Sequence, residues 1–372
     1  MKVCIVGGGN IGTALACYIK KTCPDYFVSL LTRKPNEFSE NIKCNDWEAD
    51  KLYIVTLDCI SGDANVAAQD ADIVYIALPH FAVEKAFSAI APFVAKEAFV
   101  GVLPGGGGCE FFFDKYFTKE QTLFGFQRVP FIARLGSYGK EVNLNSWKPF
   151  SVVGALKQER IAKVCRLVEA CGLRTEMASN YLEVALTPSN PILHTSRLFE
   201  IFGRLPRNHV FPERFKFYVG WSDFASSMLF NMDEELHLLL NVMTGIDTTS
   251  IRPLSEHYES PTIQLMTKKI NSIAAFQHIY APLVEVEGGY CADTTSRMFT
   301  EDFPWGLVVI RSYFEYFGIP SPQIDEVLQW YSRYMGLEWF VDGKFCGKDL
   351  LKTGAIQNYG IKTKEDLLNK YQ

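Results

Sequence analysis

The chain has 372 residues, of which 48% are hydrophobic and 21% charged, and a formal net charge of −5. Such a length accommodates two domains, and the composition is that of a globular protein. The acidic balance argues against a nucleic-acid binder, no run of about 18 apolar residues marks a membrane span, and no signal peptide is expected before the first strand.

That strand opens the chain. Met1 to Gly12 reads MKVCIVGGGNIG, an apolar run leading into Gly7, Gly9 and Gly12. Gly7 allows the tight turn, Gly9 lets backbone approach a pyrophosphate, and Gly12 lets the next helix pack on the strand. Asn10 and Ile11 begin that helix, whose free N–H groups face the phosphates. Gly7, Gly9, Asn10, Ile11 and Gly12 are therefore candidate cofactor contacts. A glycine-rich turn without a ligand is the competing reading.

Further strands are predicted at Phe27–Leu31, Tyr53–Leu57, Asp72–Leu78, Ala98–Leu103, Thr122–Phe126 and Ser151–Leu156, with a helix from Phe81 to Val94. Strands alternating with helices predict an α/β fold: a Rossmann domain with a doubly wound parallel sheet. Ligands of such sheets sit at the carboxyl ends of the strands. Leu78-Pro79 and Pro104-Gly105 are two such ends and join the cofactor candidates. His80, next to the first, is expected only to cap a turn.

The end of the second strand reads on cofactor choice. An NAD enzyme usually places Asp or Glu about 20 residues after the glycines, on the ribose 2′-hydroxyl. Here Thr32, Arg33 and Lys34 stand instead. A hydroxyl followed by two cations suits a 2′-phosphate, so NADP is expected, with NAD possible. A solvated basic turn is the alternative. Gln127 and Arg128 follow another strand and are candidate substrate contacts, against an equally good reading as a surface loop.

Beyond residue 155 the pattern turns helical, with segments at Gln158–Cys171, Trp221–Thr244, Pro304–Phe317 and Ser321–Tyr334. Residues 1–155 are read as the nucleotide domain and 156–372 as an all-helical substrate-binding domain. The long Trp221–Thr244 segment suits either a core or a homodimer interface. The ten cysteines form no CxxC pair. They are read as reduced thiols without zinc, in a cytoplasmic protein.

Two clusters stand out in this half. In Pro188-Ser189-Asn190-Pro191-Ile192-Leu193-His194, Asn190 before Pro191 marks a helix start, with His194 one turn inside on the same face. The second cluster runs from Ser296 to Leu307 and packs Arg297, Glu301 and Asp302 ahead of Pro304. Alone, His194 would be read as a core histidine, Arg297 and Glu301 as a surface ion pair, and Asp302 as a helix cap.

Together with the glycine fingerprint, the Leu103–Gly108 loop, Gly306-Leu307 and the Ile319–Asp325 stretch, these clusters make the chain resemble the opine dehydrogenases of the octopine/nopaline dehydrogenase group. The resemblance runs to about residue 335, and the tail after Tyr334 adds nothing to it. It implies a substrate cleft between two domains. It also implies a reductive condensation, in which an amino acid's amine joins a 2-oxo acid and a nicotinamide hydride reduces the imine. By position, His194 is implied as general acid/base, Asp302 as its carboxylate partner and Arg297 as the anchor of a substrate carboxylate. Asn190 is a further candidate substrate contact. Spacing alone leaves Glu301 as an alternative to Asp302.

The chemistry agrees. Histidine moves protons near neutral pH, a carboxylate on its far nitrogen fixes the tautomer, and arginine's planar fork holds carboxylates. Two other functions fit the same fold. One is an NADPH-dependent 2-oxo acid reductase of the ketopantoate reductase type, and the other a non-catalytic NADP-sensing protein. Neither the amino acid nor the oxo acid can be read from the residues.

Overall fold

The computed structural model describes every residue except Pro188 and Ser189. It divides into two compact units, Met1–Ala185 with Leu368–Gln372, and Leu186–Leu367.

The first unit holds two sheets. The larger has eight strands: β1 (Lys2–Val6), β2 (Phe27–Leu31), β5 (Cys59–Ser61), β6 (Ile73–Ile76), β7 (Phe99–Val102), β8 (Thr122–Phe126), β11 (Ser151–Ala155) and β12 (Thr175–Met177). Their spatial order is β12-β11-β8-β7-β6-β1-β2-β5. From β5 to β8 every neighbouring pair is parallel; β11 runs antiparallel to β8. Val3 to Ile5 and Ile73 to Ile76 are fully buried, as strands covered on both faces must be. Chain order reverses at β1, flanked by β2 on one side and β6 on the other. The carboxyl ends of β1 and β6 therefore form the crevice where such sheets take ligands.

The smaller sheet combines β3 (Ile42–Asp46), β4 (Lys51–Val55), β9 (Phe131–Ser137) and β10 (Glu141–Trp147) in the order β4-β3-β10-β9. The strand expected at Tyr53–Leu57 is β4, and it belongs here rather than to the parallel sheet. Leu52 and Ile54 stay exposed, so its apolar run is covered on one side only. The place beside β2 goes to the three-residue β5.

The domain boundary also departs from residue 155. The helix Ile161–Ala170 and β12 follow β11, and β12 pairs in parallel with β11, so the chain stays in the first unit until Ala185. The C-terminus returns to this unit. The Tyr371 hydroxyl donates to the buried carboxylate of Glu110 at 2.8 Å, and Lys370 pairs with Asp114 at 2.6 Å.

The second unit is built mainly of the helices Asn190–Phe202, Asp223–Val242, Ile263–Ser272, Val308–Phe317 and Pro322–Met335. Ser222 caps the longest, accepting from the N–H groups of Phe224 and Ala225. Gly318 and Gly336 end the last two in the left-handed conformation, at φ of 63° and 70°. A hairpin of β13 (Leu283–Val286) and β14 (Gly289–Ala292) interrupts the all-helical pattern expected for this half. Among the described residues, no helix is long and apolar enough to cross a membrane.

Candidate active site

In the first unit the glycine fingerprint is tied down by its neighbours. A Cβ on Gly7 would lie 2.6 Å from the Ala77 carbonyl and 3.0 Å from Leu78, and one on Gly12 would strike the Gly7 carbonyl. These two glycines make the turn and the helix–strand contact. Gly9 differs: a Cβ there would meet nothing within 4 Å, so its backbone faces open space. Gly9 is also the cap position of the helix Asn10–Thr22 and gives it no side-chain cap. The first-turn N–H groups, Ile11 among them, are thus left for an anion, and the residues fit a dinucleotide's pyrophosphate. The Asn10 side chain works elsewhere: its Oδ1 accepts from the Leu135 N–H at 2.9 Å, tying the helix to β9.

At the end of β2, Thr32 is buried and its hydroxyl lies 3.1 Å from the Tyr138 hydroxyl. Lys34 pairs with Glu37 at 2.9 Å. Arg33 is exposed and has no ion-pair partner among the described residues, which leaves it as the cation open to a phosphate.

Leu78-Pro79 and Pro104-Gly105 lie just past the carboxyl ends of β6 and β7. The Leu103–Pro104 peptide is cis. Two glycines of the 105–108 loop answer to packing: a Cβ on Gly105 would meet Val184 at 2.6 Å, and one on Gly107 the His80 ring at 2.5 Å. His80 Nε2 lies 3.3 Å from the Pro104 carbonyl, linking the two strand ends. Gln127 and Arg128 follow β8 at the same edge, with the Gln127 N–H bonded to the Val152 carbonyl.

In the second unit the helix Asn190–Phe202 carries His194, which is 9% exposed. Asn190 is exposed one turn earlier on this helix; Pro188 and Ser189 lie outside the described residues. Arg297 begins a short helical turn, Arg297–Thr300, that runs into a wider π turn over Phe303–Leu307. Pro304 brings no N–H to that stretch, and the Leu307 N–H reaches back five residues to the Asp302 carbonyl at 2.8 Å. Gly306 in this turn meets Pro191 in the first turn of the histidine helix; a Cβ there would lie 2.7 Å from Pro191 Cγ.

That close approach brings His194 and Asp302 together. His194 Nδ1 is 2.7 Å from Asp302 Oδ2, with both side chains largely buried. Glu301 takes the other cation: its Oε2 lies 2.5 Å from both Arg297 Nε and an Arg297 terminal nitrogen. The geometry thus separates the two carboxylates that spacing left open. The Arg297 side chain remains 69% exposed despite its pairing, so the guanidinium is open to a second anion.

One residue had no sequence signal. The Tyr218 hydroxyl lies 2.7 Å from His194 Nε2, so both ring nitrogens are engaged. Nothing distinguishes Tyr218 among 17 tyrosines in the sequence.

A family model described as "NAD/NADP octopine/nopaline dehydrogenase, alpha-helical domain" matches residues 177–335, the stretch that holds His194, Arg297 and Asp302. That stretch carries the helical domain of this family. A second model, "NAD-dependent glycerol-3-phosphate dehydrogenase N-terminus", matches residues 2–105, the glycine-fingerprint half. The chain is 28% identical to the tauropine dehydrogenase of Arabella iricolor, across 98% of this chain and 99% of that one. It is 26% identical to the octopine dehydrogenase of Mizuhopecten yessoensis, across 99% and 98%. A solved octopine dehydrogenase in complex with NADH and L-arginine shares the fold at a TM-score of 0.85 and 23% identity, across 100% of this chain and 98% of that one. This opine-type dehydrogenase is an NAD(P)-dependent oxidoreductase.

Proposed function

We propose that this opine-type dehydrogenase uses NADPH to condense an amino acid with a 2-oxo acid into a secondary-amine dicarboxylate. The observation that carries the reading is the 2.7 Å contact of His194 with Asp302, in the helical half that matches the family. The amine adds to the carbonyl, water leaves to give an imine, and hydride plus a proton complete the secondary amine. The nicotinamide supplies the hydride when bound. His194 holds and moves the protons, and Asp302 keeps its Nδ1 protonated and balances the imidazolium. Arg297 anchors one substrate carboxylate. Asn190, Gln127 and Arg128 are the proposed further substrate contacts. The first-turn N–H groups after Gly9 hold the pyrophosphate, with Leu78, Pro79, Pro104 and Gly105 lining the strand ends. Thr32 and Arg33 lie at the ribose end, where the missing acid and the open Arg33 guanidinium favour a 2′-phosphate. NAD, bound as NADH by the octopine dehydrogenase above, is the alternative cofactor.

The test is a matrix of amino acids against pyruvate and 2-oxoglutarate, following NADPH and NADH consumption. The proposal requires turnover that depends on both substrates, and a His194→Ala loss of roughly 10²–10⁴-fold with cofactor binding retained. Turnover with an oxo acid alone would make the protein a 2-oxo acid reductase. Cofactor binding without turnover in any combination would make it a nucleotide sensor.

A further inference from the structure

Tyr218 is placed by more than its own packing. It is 2% exposed, and its ring stacks on Phe276 at a centroid distance of 4.1 Å and an interplanar angle of 15°. Trp221 lies parallel at 6.2 Å, and Phe217 meets the ring edge-on at 4.9 Å. The backbone that carries it is clamped. Arg197, one turn after His194 on the same helix, donates to the carbonyls of Phe217, Val219 and Gly220 at 2.8, 3.0 and 3.1 Å. Asn271 accepts from the N–H groups of Gly220 and Trp221 and donates back to the Trp221 carbonyl. One helix therefore presents His194 and, through Arg197, fixes the segment whose tyrosine meets the far nitrogen of that histidine.

The buried Arg197 makes this an expensive arrangement for packing alone. A long cation is desolvated, paired with Glu200, and three more of its donors go to three carbonyls of a single loop. The loop's product is a hydroxyl at 2.7 Å from His194 Nε2. A phenol suits that position because it serves both states of the ring. It donates to the neutral imidazole and, after a turn of its O–H, accepts from the imidazolium. Burial pushes the Tyr218 phenol well above its ordinary value, so it stays protonated through the working range.

We propose that Tyr218 is the positioning residue that completes an Asp302–His194–Tyr218 chain and holds the Nε2 side of the His194 ring. The proposal rests on His194 being the acid/base. Within the chain Asp302 holds Nδ1 and Tyr218 holds Nε2. Beside the phenol stands Tyr258, the other titratable group that acts on it. The imidazolium's Nε2–H has the Tyr218 oxygen as its partner, and a charge-assisted bond of this kind is roughly twice as strong as its neutral counterpart. Removing the hydroxyl therefore penalises the protonated ring more than the neutral one.

Tyr218→Phe keeps the ring stack and deletes only the hydroxyl. We expect kcat to fall roughly tenfold, with cofactor Kd unchanged and KM little affected. The limb of the pH–rate profile that reports the acid/base should move to lower pH in both reaction directions. Histidine-selective nitrogen NMR supplies a readout independent of turnover: the Nε2 signal of His194 should be that of a hydrogen-bonded nitrogen in the wild type and move toward an unbonded imine nitrogen in Tyr218→Phe. A variant with wild-type kcat and an unmoved pH profile would reduce Tyr218 to core packing. Should the variant not fold, the wild-type spectrum decides, and an unbonded Nε2 there overturns the proposal. His194→Ala separates the two readings. Full turnover in that variant removes the acid/base role itself, whereas its loss with an unchanged Tyr218→Phe removes only this inference.

Discussion

Glu301 and Asp302 are consecutive carboxylates that serve different partners. Glu301 closes on Arg297 at 2.5 Å, whereas Asp302 reaches His194 Nδ1 at 2.7 Å. The split follows from the irregular helix. Glu301 ends the helical turn Arg297–Thr300 and Asp302 leads into the π turn Phe303–Leu307, so the adjacent side chains meet different neighbours. Asp302→Asn should lower kcat by roughly 10²–10⁴-fold and move the acid/base limb of the pH profile downward, since the imidazolium loses its compensating charge. Glu301→Gln should leave that limb where it is. Arg297→Ala should act mainly on KM for a carboxylate substrate. Steady-state kinetics across pH on the three variants test the division; a shifted limb in Glu301→Gln would count against it.

The contact between Gly306 and Pro191 should be intolerant of a single methyl. A Cβ 2.7 Å from Pro191 Cγ and 2.9 Å from its Cβ must push the π turn away from the histidine helix. Overpacking of this kind costs roughly 1–3 kcal/mol. The same displacement lengthens the His194–Asp302 bond, and misplacements on the order of 1 Å reduce turnover by as much as roughly 10²-fold. Gly306→Ala should therefore lose both Tm and kcat while cofactor Kd stays constant. A lower Tm with undiminished kcat would show that the contact serves packing only.

How much of this was legible in the sequence varies with the kind of constraint. Gly7 and Gly12 carry their reason locally, because strand, turn and helix follow each other directly and each missing Cβ is required by a neighbour. His194 and Asp302 are 108 residues apart, and only the resemblance of their two elements to the opine dehydrogenases pointed to a partnership that the 2.7 Å contact now gives geometrically. The smaller sheet was hidden for a related reason. β3 pairs in parallel with β10, nearly a hundred residues on, and no local periodicity encodes such a pairing. Tyr218 was hidden more deeply, since it is placed by Arg197 and Asn271 from two other helices and not by anything in its own stretch. The boundary was drawn at residue 155 because the pattern turns helical there, whereas the helix Ile161–Ala170 and the three-residue β12 still belong to the first unit.

Cofactor preference is expected to rest on Arg33. Lys34 is engaged by Glu37, and the Thr32 hydroxyl by Tyr138, so Arg33 is the group left to meet a 2′-phosphate. NADPH should bind more tightly than NADH. Arg33→Ala should narrow the gap by roughly 10–100-fold, the range of a charge-assisted phosphate contact of about 1.5–3 kcal/mol. Fluorescence titration with both cofactors measures this, and equal affinities in the wild type would remove the basis for NADP.

Stability should depend on pH through Asp233. It lies in the helix Asp223–Val242, 5% exposed, and one carboxylate oxygen accepts from the Leu254 N–H at 2.7 Å. Burial pushes its carboxyl up to about 7, partly offset by that hydrogen bond. A folded-state value above the unfolded one means the neutral form is the one the fold favours. The contribution is fully present at acid pH, below the unfolded carboxyl range near 4, and is lost as pH rises through about 7. His237, one turn further on, has its imidazole lowered by burial and acts in the opposite sense, costing stability as the pH falls into the acid range. The comparison must therefore be between wild type and Asp233→Asn rather than along one curve. The asparagine still accepts from Leu254 but cannot ionise. Relative to it, the wild type should lose stability between about pH 4 and pH 7 and then level off, by roughly 2–4 °C of Tm for each kcal/mol in a domain of this size. Thermal melts of both proteins at matched ionic strength give the difference directly. A constant offset across that range would show that Asp233 stays in one protonation state throughout.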